Sequence, residues 1–208
     1  MARFNSKPEY THGESDSVGI LLVNLGTPEK PTANSVRNYL REFLSDYRVI
    51  EIPKFLWFLI LYLFILPFRP FKSAEAYRKI WTKNGSPLLL HSQKISEKLK
   101  LQINKKRKKD IQVELAMSYG EPSIAYALEK FYDNSVRRIF LLPLYPQYSN
   151  TTTGSVFENV TKTLAKRRWI PEFRFINHYH DEPSYTDILA DSIKLFWEKN
   201  GKGEKLLF

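Results

Sequence analysis

Between Leu142 and Ser155 the sequence LPLYPQYSNTTTGS gathers six small hydroxyl or amide residues and one glycine. It follows an apolar run, Arg138 to Leu142, that reads as a strand buried on both faces. Pro143 and Pro146 stop that strand, because neither can donate to a ladder. An amphipathic helix is expected next, with Val156, Phe157, Val160 and Leu164 on its apolar face. Free backbone N–H groups and the helix dipole at such a junction suit an anion. Tyr145 and Tyr148 add flat apolar surface. The alternative is a well-capped strand–helix turn with no ligand. A second candidate is the pair His178 and His180, which share one face of an extended segment and have the chemistry to hold a metal. No third ligand has a known position, so a solvated turn is the expected role.

Other chemistry is excluded or unsupported. The chain has no cysteine, so disulfides and thiolate-held metals cannot form within it. No Gly-rich phosphate-binding motif is present. The balance of 32 Lys+Arg against 22 Asp+Glu gives a net charge of +10, which favours anionic partners without naming one. The basic run Lys105 to Lys109 lacks aromatic interleaving and any nucleic-acid motif, so it reads as a solvated face and no nucleic-acid partner is expected. Residues 1–17 are polar, without the apolar core of a signal peptide, which predicts a disordered start and a cytoplasmic protein.

These residues need elements to position them. Val18 to Leu25 reads as a central strand ending in the turn Gly26-Thr27-Pro28. Thr32 can cap a helix with Val36, Tyr39, Leu40, Phe43 and Leu44 inward. Phe55 to Leu66 is twelve apolar residues followed by Pro67. That is short of the roughly 20 needed to span a bilayer. A buried helix, a lip over an apolar cavity and a segment lying on a membrane surface are the three readings. After the turn Asn84 to Pro87, Ile95, Leu99, Leu101 and Ile103 support a helix. Val113 to Met117 is a strand broken by Ser118 to Pro122. A helix with Ile124, Leu128 and Phe131 inward follows, then the strand and loop above. Phe173 to Ile176 makes a fourth strand, and a helix is expected to bury Tyr185, Ile188, Leu189, Ile193 and Phe196. Lys205 to Phe208 reads as the start of a fifth strand.

Alternating strands and helices imply an α/β fold with a doubly wound parallel sheet. Ligands in such sheets sit outside the carboxyl ends of the strands. The loops at 24–28, 118–122, 145–155 and 177–183 all lie there, so they can converge on one cleft.

Four segments, LVNLGTP at 22–28, YRKIWTKNGSPL at 77–88, MSYGEPS at 117–123 and LPLYPQYSNTTTGS, closely resemble ferrochelatase in order and spacing. FLSDYRV at 43–49 resembles the bacterial members. The resemblance runs from about Gly19 to the end and implies insertion of ferrous iron into a porphyrin, the last step of haem synthesis. It implies a chelatase-like first domain at 18–180. A connecting helix and the start of a truncated second domain would occupy 181–208. Phe55 to Leu66 would be the lip of the cleft, with a possible peripheral contact to the inner membrane. Porphyrin-contacting positions carry over to Leu25, Lys79, Tyr119, Tyr145, Tyr148 and Ser149. No tightly bound cofactor is implied; ferrous iron and porphyrin are the substrates. The family's catalytic Ser-X-His segment and acidic residue would lie beyond Phe208, so no catalytic or metal-binding residue is assigned here. A C-terminal polypeptide would complete the site. The alternative is a non-catalytic porphyrin- or haem-binding protein derived from that enzyme.

Overall fold

A computed structural model describes residues 17–105 and 111–205. Its centre is β1 (Ser17–Gly26), which pairs in parallel with β2 (Gln112–Tyr119) on one side and β3 (Val136–Pro143) on the other. β4 (Glu172–Phe175) extends β3, also in parallel, giving the order β2-β1-β3-β4. All four carboxyl ends therefore share one edge, as the alternating pattern predicts. Leu21, Leu22 and Val23 are fully buried. Successive side chains of a strand point to opposite faces, so β1 is covered on both.

The helices follow from their periodicity. α4 (Pro87–Asn104) lays Leu89, Leu99 and Ile103 against Leu22, Val113, Leu115 and Met117. On the other face α5 (Ile124–Asp133) and α6 (Ser155–Leu164) bury Leu128, Phe131, Val156 and Val160 with Leu21, Ile139 and Leu141. β3 differs from expectation: Ile139 and Leu141 are buried, but Phe140 and Leu142 on the opposite face are half-covered and Arg138 is exposed. β2 runs on through Ser118 and Tyr119 before turning. Ser17, expected in a disordered start, opens β1 and donates to Ser135 O at 2.8 Å. The rest of that start, most of the basic run and residues 206–208 of the fifth-strand expectation lie outside the described residues; Lys205 is not in a strand.

Above the carboxyl ends of β1 and β2 sits α1 (Ala33–Leu44), capped by Thr32, whose Oγ1 accepts from Ser35 N at 3.4 Å. Val36, Tyr39, Leu40 and Leu44 are buried and Phe43 is half-buried, as its pattern predicts. Against it packs a continuous helix, Lys54–Ile80. This comprises α2 (Lys54–Ile60), a π-helical segment Leu61–Ile65 and α3 (Leu66–Ile80). Its length corrects the twelve-residue reading, because Pro67 and Pro70 do not end it. Leu66 N reaches back to Leu61 O, a wide turn that precedes Pro67. Pro70 has no N–H for Leu66 O, and Arg37 Nε of α1 supplies that bond at 3.1 Å instead. By length and composition alone the helix is long enough to cross a membrane. Leu61, Leu66 and Ala74 are buried against α1, while Phe55 is 80% exposed, and Phe58, Leu63, Phe64, Phe68 and Phe71 are exposed beside it. Among the described residues nothing covers this outer face.

α7 (Pro183–Asn200) corrects a second expectation, because none of its residues is buried. Tyr185 and Ile193 are half-covered, Tyr185 meeting Tyr179 edge-on at 5.6 Å, but Ile188, Leu189 and Phe196 face solvent. Periodicity shows that a face is apolar; it does not show that the described residues cover it.

Candidate functional site

The carboxyl edge of the sheet holds two cavities separated by α1. The larger, about 1000 Å³, is walled by Thr27, Tyr39, Arg41, Tyr62, Trp81, Ser86 and Gly120, among others. Its volume reaches the upper end of ordinary small-molecule sites, about 300–1,000 Å³. The smaller, about 470 Å³, lies toward α5 and α6 and includes Asp46, Lys54, Ser118, Tyr119, Asn159 and Lys162. Glu42 and Ser45 line both.

Backbone geometry fixes the floor between them. Gly26 has φ +110°, and a Cβ there would stand 1.8 Å from Tyr119 O on the paired strand. Only glycine allows this approach and this φ. Beyond β2, Gly120 N donates to Glu42 Oε2 at 2.9 Å, tying the turn to α1. Across the 82–85 turn Thr82 and Gly85 exchange backbone hydrogen bonds at 3.1 Å. That turn leads to Ser86 at the cavity wall.

Aromatic rings run from the cavity into the core. Trp81 meets Tyr77 edge-on at 6.3 Å, Tyr77 meets Tyr39 at 6.5 Å, and Phe43 links Tyr39 at 6.1 Å to Tyr119 at 5.1 Å. Tyr119 ends the series by donating to Asp46 Oδ2 at 2.7 Å. Burial pushes the phenols of Tyr39, Tyr77, Tyr119 and Tyr145 above their ordinary value. They are therefore neutral hydroxyl donors throughout the physiological range.

Five buried side-chain oxygens among the described residues have no hydrogen-bond partner in the protein: Thr27 Oγ1, Ser118 Oγ, Tyr145 OH, Thr153 Oγ1 and Ser155 Oγ. All five belong to the carboxyl edge; Ser118 lies by the Tyr145 hydroxyl and Ser155 by that of Tyr119, so Thr27 Oγ1 and Thr153 Oγ1 carry the unmet demand for a polar group. Thr27 is in the wall of the large cavity and Ser118 in that of the small one.

The central loop is clamped from α1's side of the molecule. Arg48 Nε donates to Glu158, and one of its terminal nitrogens donates to Asn150 Oδ1 at 2.6 Å. Asn150 Nδ2 in turn reaches Glu51 Oε1 at 3.2 Å. Lys162 and Arg48 hold the Glu158 carboxyl below its usual range. The residues Asn150–Gly154 form a π turn that leads directly into α6.

The sequence-predicted residues fall at different places on this edge. Leu25 packs into the cluster beneath α1, and Lys79 stands exposed in the last turn of α3. Tyr119 is 2% exposed, so its ring presents almost no open wall. Tyr145 packs on the core beside β3, whereas Tyr148 is 52% exposed. Ser149 caps the π turn, its Oγ accepting from Thr151 N at 3.2 Å. Loops 24–28 and 118–122 converge on the large cavity. The other two pair with each other: Pro146 O accepts from Tyr179 N at 2.9 Å and His180 N at 3.1 Å. Sequence reasoning passed over Arg41, Trp81, Ser86 and Arg48. Arg41 and Arg48 look like ordinary surface cations until α1 and the lip are placed in space.

A parallel sheet with helices on both faces defines a doubly wound α/β protein, and its large cavity lies at the carboxyl ends of the strands, where that class binds ligands. The chain belongs to the ferrochelatase family, whose profile matches residues 17–208. It is 46% identical over 206 residues to the ferrochelatase of Idiomarina loihiensis, covering 99% of this chain and 57% of that protein. The ferrochelatase of Alcanivorax borkumensis is 47% identical over 205 residues, covering 99% and 60%. That of Herminiimonas arsenicoxydans is 48% identical over 204 residues, covering 98% and 55%. The chain thus spans a little over half the length of the curated relatives it matches.

Proposed function

We propose that this chain carries the porphyrin-binding half of a ferrochelatase acting in haem biosynthesis, with protoporphyrin or a related porphyrin and ferrous iron as substrates. The observation that supports it most is the 1000 Å³ cavity, whose wall combines Tyr39, Tyr62 and Trp81 with Arg41 and the unpartnered Thr27 hydroxyl. A macrocycle needs flat aromatic walls, and its propionates need a cation and hydroxyl donors. Lys79 and Tyr148 are exposed outside that wall, Leu25 and Tyr145 pack on the clusters beneath the edge, and Ser149 caps its own turn.

In a whole ferrochelatase, acid–base groups would remove the two pyrrole protons as the metal enters. On this reading those groups are expected outside this chain. Incubated alone with zinc or iron and porphyrin, the 208-residue chain is expected to stay at the uncatalysed rate. Loss of acid–base catalysis alone costs about 10²–10⁴-fold. Adding a polypeptide that carries the family's remaining length should raise the rate. Steady metalation by this chain alone would overturn the division of labour. Porphyrin binding without any gain on completion would favour the non-catalytic haem- or porphyrin-binding alternative.

The lip supports a peripheral contact with the inner membrane from the cytoplasmic side. Its exposed aromatic and leucine side chains lie between Lys54 and the cations Arg69 and Lys72. An apolar face flanked by Lys and Arg suits an anionic bilayer surface. Cosedimentation with anionic vesicles, weakened by Phe55→Ser with Phe64→Ser, is the expected result; equal recovery of both proteins would reject the contact.

A further inference from the structure

One pair of metal-ligating side chains lies outside both cavities. His178 and His180 follow β4 on a segment that is fixed at several points. Ile176 N donates to Leu141 O at 3.1 Å, and the bonds from Tyr179 N and His180 N to Pro146 O hold the middle. Glu182 N closes the far side on Tyr179 O at 3.3 Å. Both imidazoles are exposed, while Tyr179 between them is half-buried against Tyr185. The rings therefore share the outward side of a pinned backbone.

Their centroids are 5.3 Å apart. With a metal–nitrogen bond of about 2.1 Å, an ion sits about 3.2 Å from each ring centre, and two rings at a tetrahedral angle then lie about 5.2 Å apart. The observed spacing meets that bite. We infer that His178 and His180 form a bidentate docking site for a late first-row divalent cation. Imidazole favours zinc, nickel and copper over the hard cations. Among the described residues no group of three or more His, Asp or Glu side chains is placed to hold a metal. Water completes the coordination, so the ion exchanges rather than staying as a structural part of the fold. The site does not depend on the chelatase reading, since it needs neither porphyrin nor a second half.

The test is calorimetric titration of the full chain with zinc chloride in a non-coordinating buffer, without porphyrin. One ion per chain is expected. Changes outside the ligand shell already weaken metal sites by about 10–100-fold, so losing either ligand in His178→Ala or His180→Ala should cost about tenfold or more. The chain's other two histidines, His12 and His91, serve as controls; their alanine variants should match wild type. Absence of zinc binding, unchanged affinity in both ligand variants, or loss in only one of them would overturn the proposal. Both ligand changes are at exposed side chains, and circular dichroism should show the wild-type fold.

Discussion

Gly26→Ala is expected to remove most of the chain's folding stability. Two costs combine at this position. The residue has φ +110°, and a non-glycine held there is strained by about 1–3 kcal/mol. The new Cβ would also meet Tyr119 O at 1.8 Å, a backbone atom of the paired strand that no rotamer change can move. Relief requires parting β1 from β2 at the floor of the cavity. The sum should be about 4 kcal/mol or more, in the range where single changes are exceptional. Gly85 supplies the control. Its φ is +117°, yet a Cβ there meets nothing within 4 Å. Gly85→Ala should therefore cost the strain alone. Urea unfolding of both variants separates the contributions; equal losses would show that close strand approach is not what position 26 demands.

The sheet was legible because its signals are local. Apolar runs gave four strands within about two residues of their observed ends, and Thr32, Val36 and Leu40 announced a capped, one-sided helix. What misled was satisfied or left unsatisfied by residues far away in sequence. Pro67 followed by Pro70 reads as a stop, but Arg37, 29 residues before Leu66, supplies the hydrogen bond that Pro70 cannot make. The apolar side of α7 was visible, but a pattern cannot tell a covered face from an open one. For the site, composition singled out LPLYPQYSNTTTGS, which lies on the same edge of the sheet as the large cavity. LPLYPQYSNTTTGS has a conspicuous composition, yet Ser149 and Asn150 spend their polar groups on the turn and on Arg48. The large cavity instead draws on Tyr39, Arg41 and Trp81, which only the packing of α1 against the lip brings together.

The second large effect concerns the cavity itself. Trp81 forms part of its wall with no role in closing the sheet, so Trp81→Ala should remove binding area without opening the core. Burying about 100 Å² of ring surface is worth about 2.5 kcal/mol, or more than tenfold in affinity. Arg41→Glu reverses a cation of the cavity wall and Lys79→Glu an exposed one at the end of α3, and each should weaken a porphyrin with free propionates while barely affecting its ester. Ser149→Ala should have little influence, because that hydroxyl caps its own turn. If the chain carries one half of the porphyrin bed, as proposed, wild-type binding is expected in the micromolar range or weaker.

Fluorescence titration of a propionate-bearing porphyrin and its ester into the wild-type chain, Trp81→Ala, Arg41→Glu and the lip variant Phe64→Ala tests the central claim most directly. Both ligands should bind more weakly to Trp81→Ala. The free acid alone should lose affinity with Arg41→Glu, and binding to Phe64→Ala should be unchanged. Equal affinities for wild type, Trp81→Ala and Arg41→Glu, with loss confined to Phe64→Ala, would mean that the porphyrin adheres to the exposed lip and that the cavity is not its bed.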